Sequence, residues 1–217
     1  MTVRNNNNNG MDAQNDMVAE HFRRSCETLA RAAEDAKLRA AIHAIADAIT
    51  AAFRAGHKLL IAGNGGSAGD AQHIAGEFLS RLNYDRAPTA AIALTTDSSV
   101  LTAIGNDYGY ERVFERQVRG LGQEGDVLLA ISTSGRSPNI LRAIAAAREL
   151  HLVTIGLTGS SGGEMAALCD LCLHAPSDST PLIQQVHITA GHVICGLVEE
   201  RLFPRAAASK PHAAAAG

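Results

Sequence analysis

The sequence carries no excess of positive charge, since 19 lysines and arginines stand against 22 aspartates and glutamates and the formal net charge is −3. Without a basic footprint, nucleic acid is not an expected partner. No apolar run approaches the roughly 20 residues that a membrane-spanning helix needs. The N-terminus shows no signal-peptide pattern. We therefore expect a cytoplasmic protein that binds neither nucleic acid nor membrane.

Cysteine is scarce, with four residues in 217, and two of them are spaced as Cys169-x-x-Cys172. That spacing can hold a metal ion or form a redox pair. Here, however, the pair falls in a segment with the pattern of a strand, where positions i and i+3 point to opposite faces. We expect reduced, structural thiols, as is usual in the cytoplasm.

Two common nucleotide-binding patterns are missing from the glycine-rich stretch Ala62–Glu77. No Gly-Lys-Ser/Thr follows its glycines, and the third glycine of a dinucleotide fingerprint is out of place. What is present is a buried-strand pattern, then a turn with three glycines, then a helix expected to begin near Ala68. Ser67 is expected to cap this helix, with Asp70 returning the contact as in a capping box. The free N–H groups at such a helix start can bind a phosphate or a carboxylate.

Further along the same predicted helix, His73 and Glu77 lie four residues apart and therefore share one face. An imidazole and a carboxylate so placed can bind one metal ion or divide acid and base roles. The same spacing is also common in solvated helix pairs, so the significance of this pair depends on the residues around it.

The length of 217 residues fits one well-buried domain, which we assign to 12–204. The segment 1–11 contains five consecutive asparagines and is expected to be disordered or vector-derived, and 205–217 is expected to be a flexible tail. Apolar positions from about Asp12 to Ala55 predict two helices that break near 33–37. This N-terminal helical arm is a candidate contact for another subunit.

From His57 onward, strand and helix patterns alternate, which predicts an α/β fold with a doubly wound, five-stranded parallel sheet flanked by helices. Ligands in such sheets bind beyond the carboxyl ends of the strands. The expected strands are His57–Ala62, Ala90–Leu94, Asp126–Ser132, Leu152–Leu157 and Asp170–Ala175. The expected helices are 68–81, 98–104, 110–119, 138–150, 163–168 and 181–203.

The loop after the third expected strand is rich in hydroxyl groups around Gly135, which come from Ser132, Thr133, Ser134 and Ser137. Ser137 is expected to be an N-cap, with Pro138 at the first helical position. Hydroxyls, loop N–H groups and a helix N-terminus together form a phosphate cradle that uses little positive charge. An ordinary capped turn is the alternative, but two such loops at one sheet edge favour phosphate.

The last expected helix carries Gln184, His187 and His192 on an apolar background. Histidines on such a helix are often satisfied core groups. Gln184 and His192 would be about 12 Å apart along the helix axis, which is long for ligands of one ion. If both serve one site, either Gln184 lies at or before the helix start or neighbouring chains contribute to the site.

Together these motifs resemble the sugar isomerase (SIS) domain family and, within it, the phosphoheptose (sedoheptulose 7-phosphate) isomerase family. The resemblance runs from the second N-terminal helix to about Phe203. Each motif alone is weak, but the ordered set is specific: Gly63-Asn64-Gly65-Gly66-Ser67, His73-x-x-x-Glu77, Gly105-Asn106-Asp107, Ser132-Thr133-Ser134-Gly135-x-Ser137 and Gln184-x-x-His187-x-x-x-x-His192.

The resemblance implies conversion of D-sedoheptulose 7-phosphate into D-glycero-D-manno-heptose 7-phosphate through an enediolate, as a precursor for bacterial lipopolysaccharide or capsule. Ketose–aldose exchange needs a base that moves a proton between C1 and C2, and a partner that exchanges protons with the oxygens. Glu77 is the expected base, and His192 is the expected acid/base partner.

The resemblance further implies a homotetramer with active sites at subunit interfaces and one Zn²⁺ per subunit. Its zinc ligands would be His73, Glu77, Gln184 and His192. Its substrate contacts would be Asn64, Gly65, Gly66, Ser67, Glu77, Arg81, Asn106, Asp107, Ser132, Thr133, Ser134, Ser137 and Gln184. A zinc-bound carboxylate is a poorer base, so whether Glu77 fills both roles stays open. The detail of the loop that would face the sugar is also undecided, because Pro181 stands where some relatives have an acidic residue.

Two other functions fit the same family. A non-catalytic SIS module could bind a sugar phosphate or a replication-initiator protein, but the presence of both Glu77 and His192 argues against it because a pure binder needs no acid/base pair. An SIS enzyme acting on an amino-sugar phosphate would normally need further machinery, and 217 residues leave no room for another domain.

Overall fold

The computed structural model describes the backbone of residues 8–205 and the side chains of residues 16–205. The two terminal segments set aside above, 1–11 and 205–217, lie outside these residues except for 8–11 and Arg205. Within the described residues, no helix combines the length and apolar character that crossing a membrane would take.

Two helices form the N-terminal arm, α1 (Asn8–Glu34) and α2 (Ala36–Arg54). Helix α1 begins four residues before the expected start at Asp12. The break falls at Asp35, whose carboxylate accepts hydrogen bonds from the N–H groups of Lys37 at 2.8 Å and Leu38 at 3.2 Å. This cap satisfies donors that would otherwise be orphaned at the start of α2. The predicted break is confirmed.

All five predicted strands are present and pair in parallel in the order β2-β1-β3-β4-β5. The strands are β1 (Leu59–Gly63), β2 (Ala91–Ala93), β3 (Val127–Ile131), β4 (Val153–Thr158) and β5 (Leu171–His174). The helices between and after them are α3 (Gly66–Leu79), α4 (Ser98–Tyr108), α5 (Val113–Leu121), α6 (Pro138–Glu149), α7 (Met165–Leu168) and α8 (Thr180–Leu202), with a 3₁₀ turn at Tyr110–Arg112.

The central strands β1 and β3 are buried along their whole length, which explains why they are continuous apolar runs. Leu59 and Ile61 of β1 pack on one side, in a core shared with α2, α3 and α8. Leu60 and Ala62 point to the other side, in a core shared with α5 and α6. The fold is therefore the predicted doubly wound α/β domain with a helical arm.

The chain reverses the direction of sheet growth at β1, because β2 lies on one side of β1 and β3 on the other. Helix α3, which follows β1, packs on one face of the sheet, while α6, which follows β3, packs on the opposite face. Such a topological switch opens a crevice at the carboxyl ends of the two strands, which is where ligands bind in these folds.

All four cysteines are free thiols. Burial raises the pKa of Cys169 to about 12 and the pKa of Cys172 to about 11, so both are neutral near pH 7. The expectation of reduced thiols is confirmed, although the strand argument was wrong for Cys169. That residue ends α7 and precedes β5, because β5 begins only at Leu171.

Candidate active site

The turn after β1 enters its helix earlier than the sequence suggested. Helix α3 begins at Gly66, and its N-cap is Gly65 with φ +56°, a conformation that glycine adopts without steric cost. Ser67 therefore lies inside the first turn, 3% exposed, and no side chain caps the helix. The expected capping box of Ser67 and Asp70 was wrong. One Asp70 carboxylate oxygen is buried without a hydrogen-bond partner, and burial raises its pKa.

Gln184 meets this turn directly. A Cβ placed on Gly66 would come within 2.5 Å of the Gln184 Nε2 atom, so a larger residue there would displace the carboxamide. Gln184 lies well inside α8, which begins at Thr180. The idea that it sits at or before the helix start was wrong, and a contribution from neighbouring chains stays a prediction.

Three of the four predicted metal ligands converge where α3 packs against α8. The Nε2 atom of His73 lies 2.8 Å from the Nε2 atom of His192 and 3.2 Å from Oε1 of Glu77. The ligand atoms of this group all lie within 4.8 Å of one another. Two imidazole lone pairs cannot face each other at that distance without a shared proton or cation, and two nitrogens with one carboxylate oxygen suit Zn²⁺. The donor set therefore fits a divalent metal.

A buried ion pair ties these two helices together just beyond the metal group. Arg86 donates to the backbone carbonyl of Glu77 at 2.7 Å and to Oε1 of Glu199, on α8, at 3.3 Å. Glu199 also accepts the N–H groups of Leu82 and Asn83 at 3.0 and 2.9 Å. Burial alone would raise the pKa of Glu199, but the hydrogen bonds outweigh it and hold that pKa below its usual range. Neither Arg86 nor Glu199 was predicted as a site residue from the sequence, although a glutamate in an apolar helix was an available signal.

The hydroxyl-rich loop after β3 has the predicted position. Ser137 is the N-cap residue of α6 and Pro138 lies in the first turn. The Ser137 hydroxyl makes no cap bond, because it lies 3.0 Å from the hydroxyl of Ser132 instead. The hydroxyl of Ser134 accepts the N–H of Arg136 at 3.2 Å. The hydroxyl of Ser132 thus lies between those of Ser137, at 3.0 Å, and Ser134, at 3.5 Å, at the carboxyl end of β3.

The loops after β1 and β3 are joined by two asparagines. Asn64 donates to Oδ1 of Asn139 at 2.9 Å, and Asn139 donates to Oδ1 of Asn64 at 2.9 Å. The hydroxyl of Tyr110 donates to the same Asn64 oxygen at 3.2 Å. Asn139 is 2% exposed. The sequence analysis named Asn64 only, because the partners come from distant segments.

The other predicted contact residues come from several parts of the chain. Asn106 and Asp107 are exposed in the last turn of α4 and hydrogen-bond each other at 2.8 Å. Arg81 is exposed beyond the end of α3, and Pro181 is exposed in the first turn of α8. Their roles stay predictions, as do those of the remaining loop residues Gly65, Gly66, Ser67, Thr133 and Ser134.

His187 belongs to the core rather than to the metal group. It is fully buried, and its Nε2 atom lies 3.1 Å from the carbonyl oxygen of Thr158. Burial lowers its pKa to about 4, so the imidazole is neutral near pH 7. It links α8 to the end of β4.

These features define a doubly wound α/β domain with a His/Glu/His group and a hydroxyl-rich loop at its switch point. The chain belongs to the SIS domain family, whose model matches residues 21–159.

Two curated relatives are more specific. The chain is 59% identical over 192 residues to a phosphoheptose isomerase of Bradyrhizobium sp. (strain ORS 278), covering 88% of this chain and 97% of the relative. It is 51% identical over 193 residues to phosphoheptose isomerase 2 of Campylobacter jejuni, covering 89% of this chain and 96% of the relative. Within the SIS family, the chain thus groups with the phosphoheptose isomerases.

Two solved structures agree with this grouping. The phosphoheptose isomerase of Neisseria gonorrhoeae superposes with a TM-score of 0.81 at 42% identity, covering 86% of this chain and 99% of that chain. The phosphoheptose isomerase of Francisella tularensis superposes with a TM-score of 0.83 at 37% identity, covering 86% of this chain and 98% of that chain. The expected fold and family are confirmed.

Proposed function

We propose that this chain converts D-sedoheptulose 7-phosphate into D-glycero-D-manno-heptose 7-phosphate by moving a proton between C1 and C2. The shared name of its relatives supports the reaction class. On this molecule, the observation that carries the proposal is the convergence of His73, Glu77 and His192 from two helices. A carboxylate base and an imidazole at one point are what ketose–aldose exchange requires.

Glu77 takes the role of the base in this proposal. Its side chain is 17% exposed, so it is sheltered yet reachable. Oε1 lies 3.2 Å from Nε2 of His73. In this proposal Oε2 removes the proton from the sugar carbon and returns it to the neighbouring carbon. His192 exchanges protons with the sugar oxygens as charge moves onto them. Arg86 holds the backbone carbonyl of Glu77 and so limits movement of the base.

A Zn²⁺ ion held by His73, Glu77, Gln184 and His192 would polarise the sugar carbonyl and stabilise negative charge on its oxygen. The chemistry of the His/Glu/His donor set supports this assignment. Gln184 enters the ligand set through the resemblance, and its contact with Gly66 ties it to the adjoining turn.

The phosphate binds, in this proposal, at the crevice between β1 and β3. The N-termini of α3 and α6 supply N–H groups there, and the loop 132–137 supplies hydroxyls. Asn64, Arg81, Asn106 and Asp107 complete the set of sugar-phosphate contacts. The proposal also keeps the homotetramer with sites at subunit interfaces, the cytoplasmic location, and a product that feeds bacterial lipopolysaccharide or capsule.

The test is NMR of the metal-loaded protein with sedoheptulose 7-phosphate in D₂O, with bound metal assayed. We expect wild type to form a heptose 7-phosphate and to incorporate deuterium at C2, and Glu77→Gln to do neither while still folding. Glu124→Gln is a matched control, because Glu124 is exposed in the loop before β3, and it should turn over like wild type.

Turnover retained by Glu77→Gln would remove Glu77 as the base. No conversion by metal-loaded wild type would contradict the isomerase and favour a binding module of the same family.

A further inference from the structure

We propose that Asn139 and Tyr110 are positioning residues that fix the side-chain amide of Asn64 toward the bound sugar phosphate. The inference rests on the proposed function, because it takes Asn64 as one of the substrate contacts. What it adds is the pair of residues that set the orientation of this contact, and the chemical type of ligand atom that the contact can meet.

The first step is a count of hydrogen bonds on Asn64. A primary amide offers two lone pairs on oxygen and two hydrogens on nitrogen. The Asn64 oxygen accepts from Asn139 at 2.9 Å and from Tyr110 at 3.2 Å, so both lone pairs are engaged. The Asn64 nitrogen donates to Asn139 at 2.9 Å and keeps one N–H. The partner for that N–H must therefore be an acceptor, as a phosphate or carbonyl oxygen is.

The side chains of Asn64, Asn139 and Tyr110 meet near the carboxyl ends of β1 and β3. Asn64 directly follows β1, and Asn139 is the second residue of α6, two residues beyond the hydroxyl loop after β3. The reciprocal amide pair therefore spans the crevice at the switch point of the sheet, where a ligand of this fold binds. Because Asn139 is 2% exposed, it is held rigidly and can hold Asn64 in turn.

Tyr110 is 62% exposed, so its ring adds little to the core. It begins the 3₁₀ turn that follows α4, whose last turn carries Asn106 and Asp107. Its hydroxyl bond to Asn64 thus links a third segment of proposed substrate contacts to the crevice. An exposed tyrosine whose hydroxyl reaches the amide of a proposed substrate contact points to positioning rather than to packing.

The test starts with Tyr110→Phe, which removes one hydroxyl and leaves the ring. We expect the affinity for sedoheptulose 7-phosphate, measured by calorimetry, to fall about threefold to tenfold, the effect of one neutral hydrogen bond. KM should rise by the same factor with kcat changed less than twofold, and the urea unfolding midpoint should not move. Tyr108→Phe is the matched control, since Tyr108 is another exposed tyrosine of this region, its ring beneath the guanidinium of Arg116. It should bind like wild type.

The decisive comparison measures the same substitution in the wild-type protein and in the Asn64→Ala protein. If Tyr110 acts through Asn64, then Tyr110→Phe has no further effect on affinity in the Asn64→Ala protein, and Asn139→Ala behaves in the same way. An equal loss in both backgrounds, or no loss in either, would overturn the proposal. Binding without turnover by wild type would sink the proposed isomerase and leave this inference standing, because the calorimetric test does not depend on catalysis.

Discussion

Gly135 is the residue on which the shape of the phosphate loop depends most directly. Its φ is +63°, and a Cβ there would collide with the backbone carbonyl of Gly162. Gly135→Ala should therefore lower the free energy of unfolding by about 1–3 kcal/mol from the backbone conformation alone, and raise KM for the sugar phosphate. Urea unfolding and steady-state kinetics measure the two effects.

Gly120→Ala is the matched control for this substitution. Gly120 lies in α5 with no atom within 4 Å of the position that an alanine methyl group would take, so alanine should stabilise the helix by up to about 1 kcal/mol. If Gly135→Ala unfolded and bound substrate like wild type, the loop would not need this conformation.

Some residues of the candidate site could be predicted from the sequence and others could not. His73 and Glu77 could be paired from their spacing, because a helix fixes which residues share a face. That His192 joins them depends on how α3 packs against α8, across 119 residues of sequence from His73. Spacing carries no information about that packing. The sequence could single out His192 on the last helix, but its place in the metal group came only from the family resemblance. The prediction that Ser67 caps α3 was wrong because Gly65, with positive φ, is the N-cap residue and the helix begins at Gly66.

At the scale of elements, the ion pair of Arg86 and Glu199 should set how firmly α3 is joined to α8. Their side chains are 3% and 1% exposed. Removing Arg86 leaves a buried carboxylate without its cation, so Arg86→Leu should cost about 3–5 kcal/mol in the free energy of unfolding. Urea unfolding measures this loss. Arg116→Leu, which removes an arginine stacked on the exposed Tyr108, should cost less than about 1 kcal/mol. Equal losses of unfolding free energy for the two variants would contradict the view that the Arg86–Glu199 ion pair joins α3 to α8.

The same pair gives a pH dependence whose sign is fixed. The folded state lowers the pKa of Glu199 from an ordinary value of 4.5. Its contribution is therefore fully present above pH 4.5 and is lost as the pH falls through the lower folded-state pKa. The difference in unfolding free energy between wild type and Glu199→Gln should stay constant above about pH 5 and shrink in more acidic solution.

Strands and helices could be predicted well as elements because their patterns are local. Each strand is a short and mainly apolar run, and each is followed by a polar loop. The ends of helices and strands could be predicted less well where contacts with distant segments determine them. The 3₁₀ turn at Tyr110–Arg112 was expected to be ordinary helix, yet there the hydroxyl of Tyr110 bonds to Asn64 in another loop.

The whole molecule leaves apolar surface exposed that a folded monomer would normally cover. On α1, Val18 is 57% exposed and Phe22, one turn later, is 68% exposed. On α8, Val193 is 46% exposed beside His192. Large apolar side chains exposed one turn apart on a helix, as on α1, are candidates for contacts between proteins. In the proposed tetramer, whose active sites lie at subunit interfaces, another subunit covers this face of the helical arm.

That arrangement predicts that assembly and activity fail together. Burying one phenylalanine contributes about 1.5–3 kcal/mol, so Phe22→Asp should weaken subunit association at least about tenfold. Light scattering at micromolar protein should show species smaller than the wild-type assembly, with turnover falling in parallel. Leu121→Asp places the same charge at a residue that is 42% exposed on α5, in the opposite helical layer, and should leave both unchanged. A Phe22→Asp protein with the wild-type mass would exclude this face as the interface, and a monomeric wild type that turns over fully would exclude sites shared between subunits.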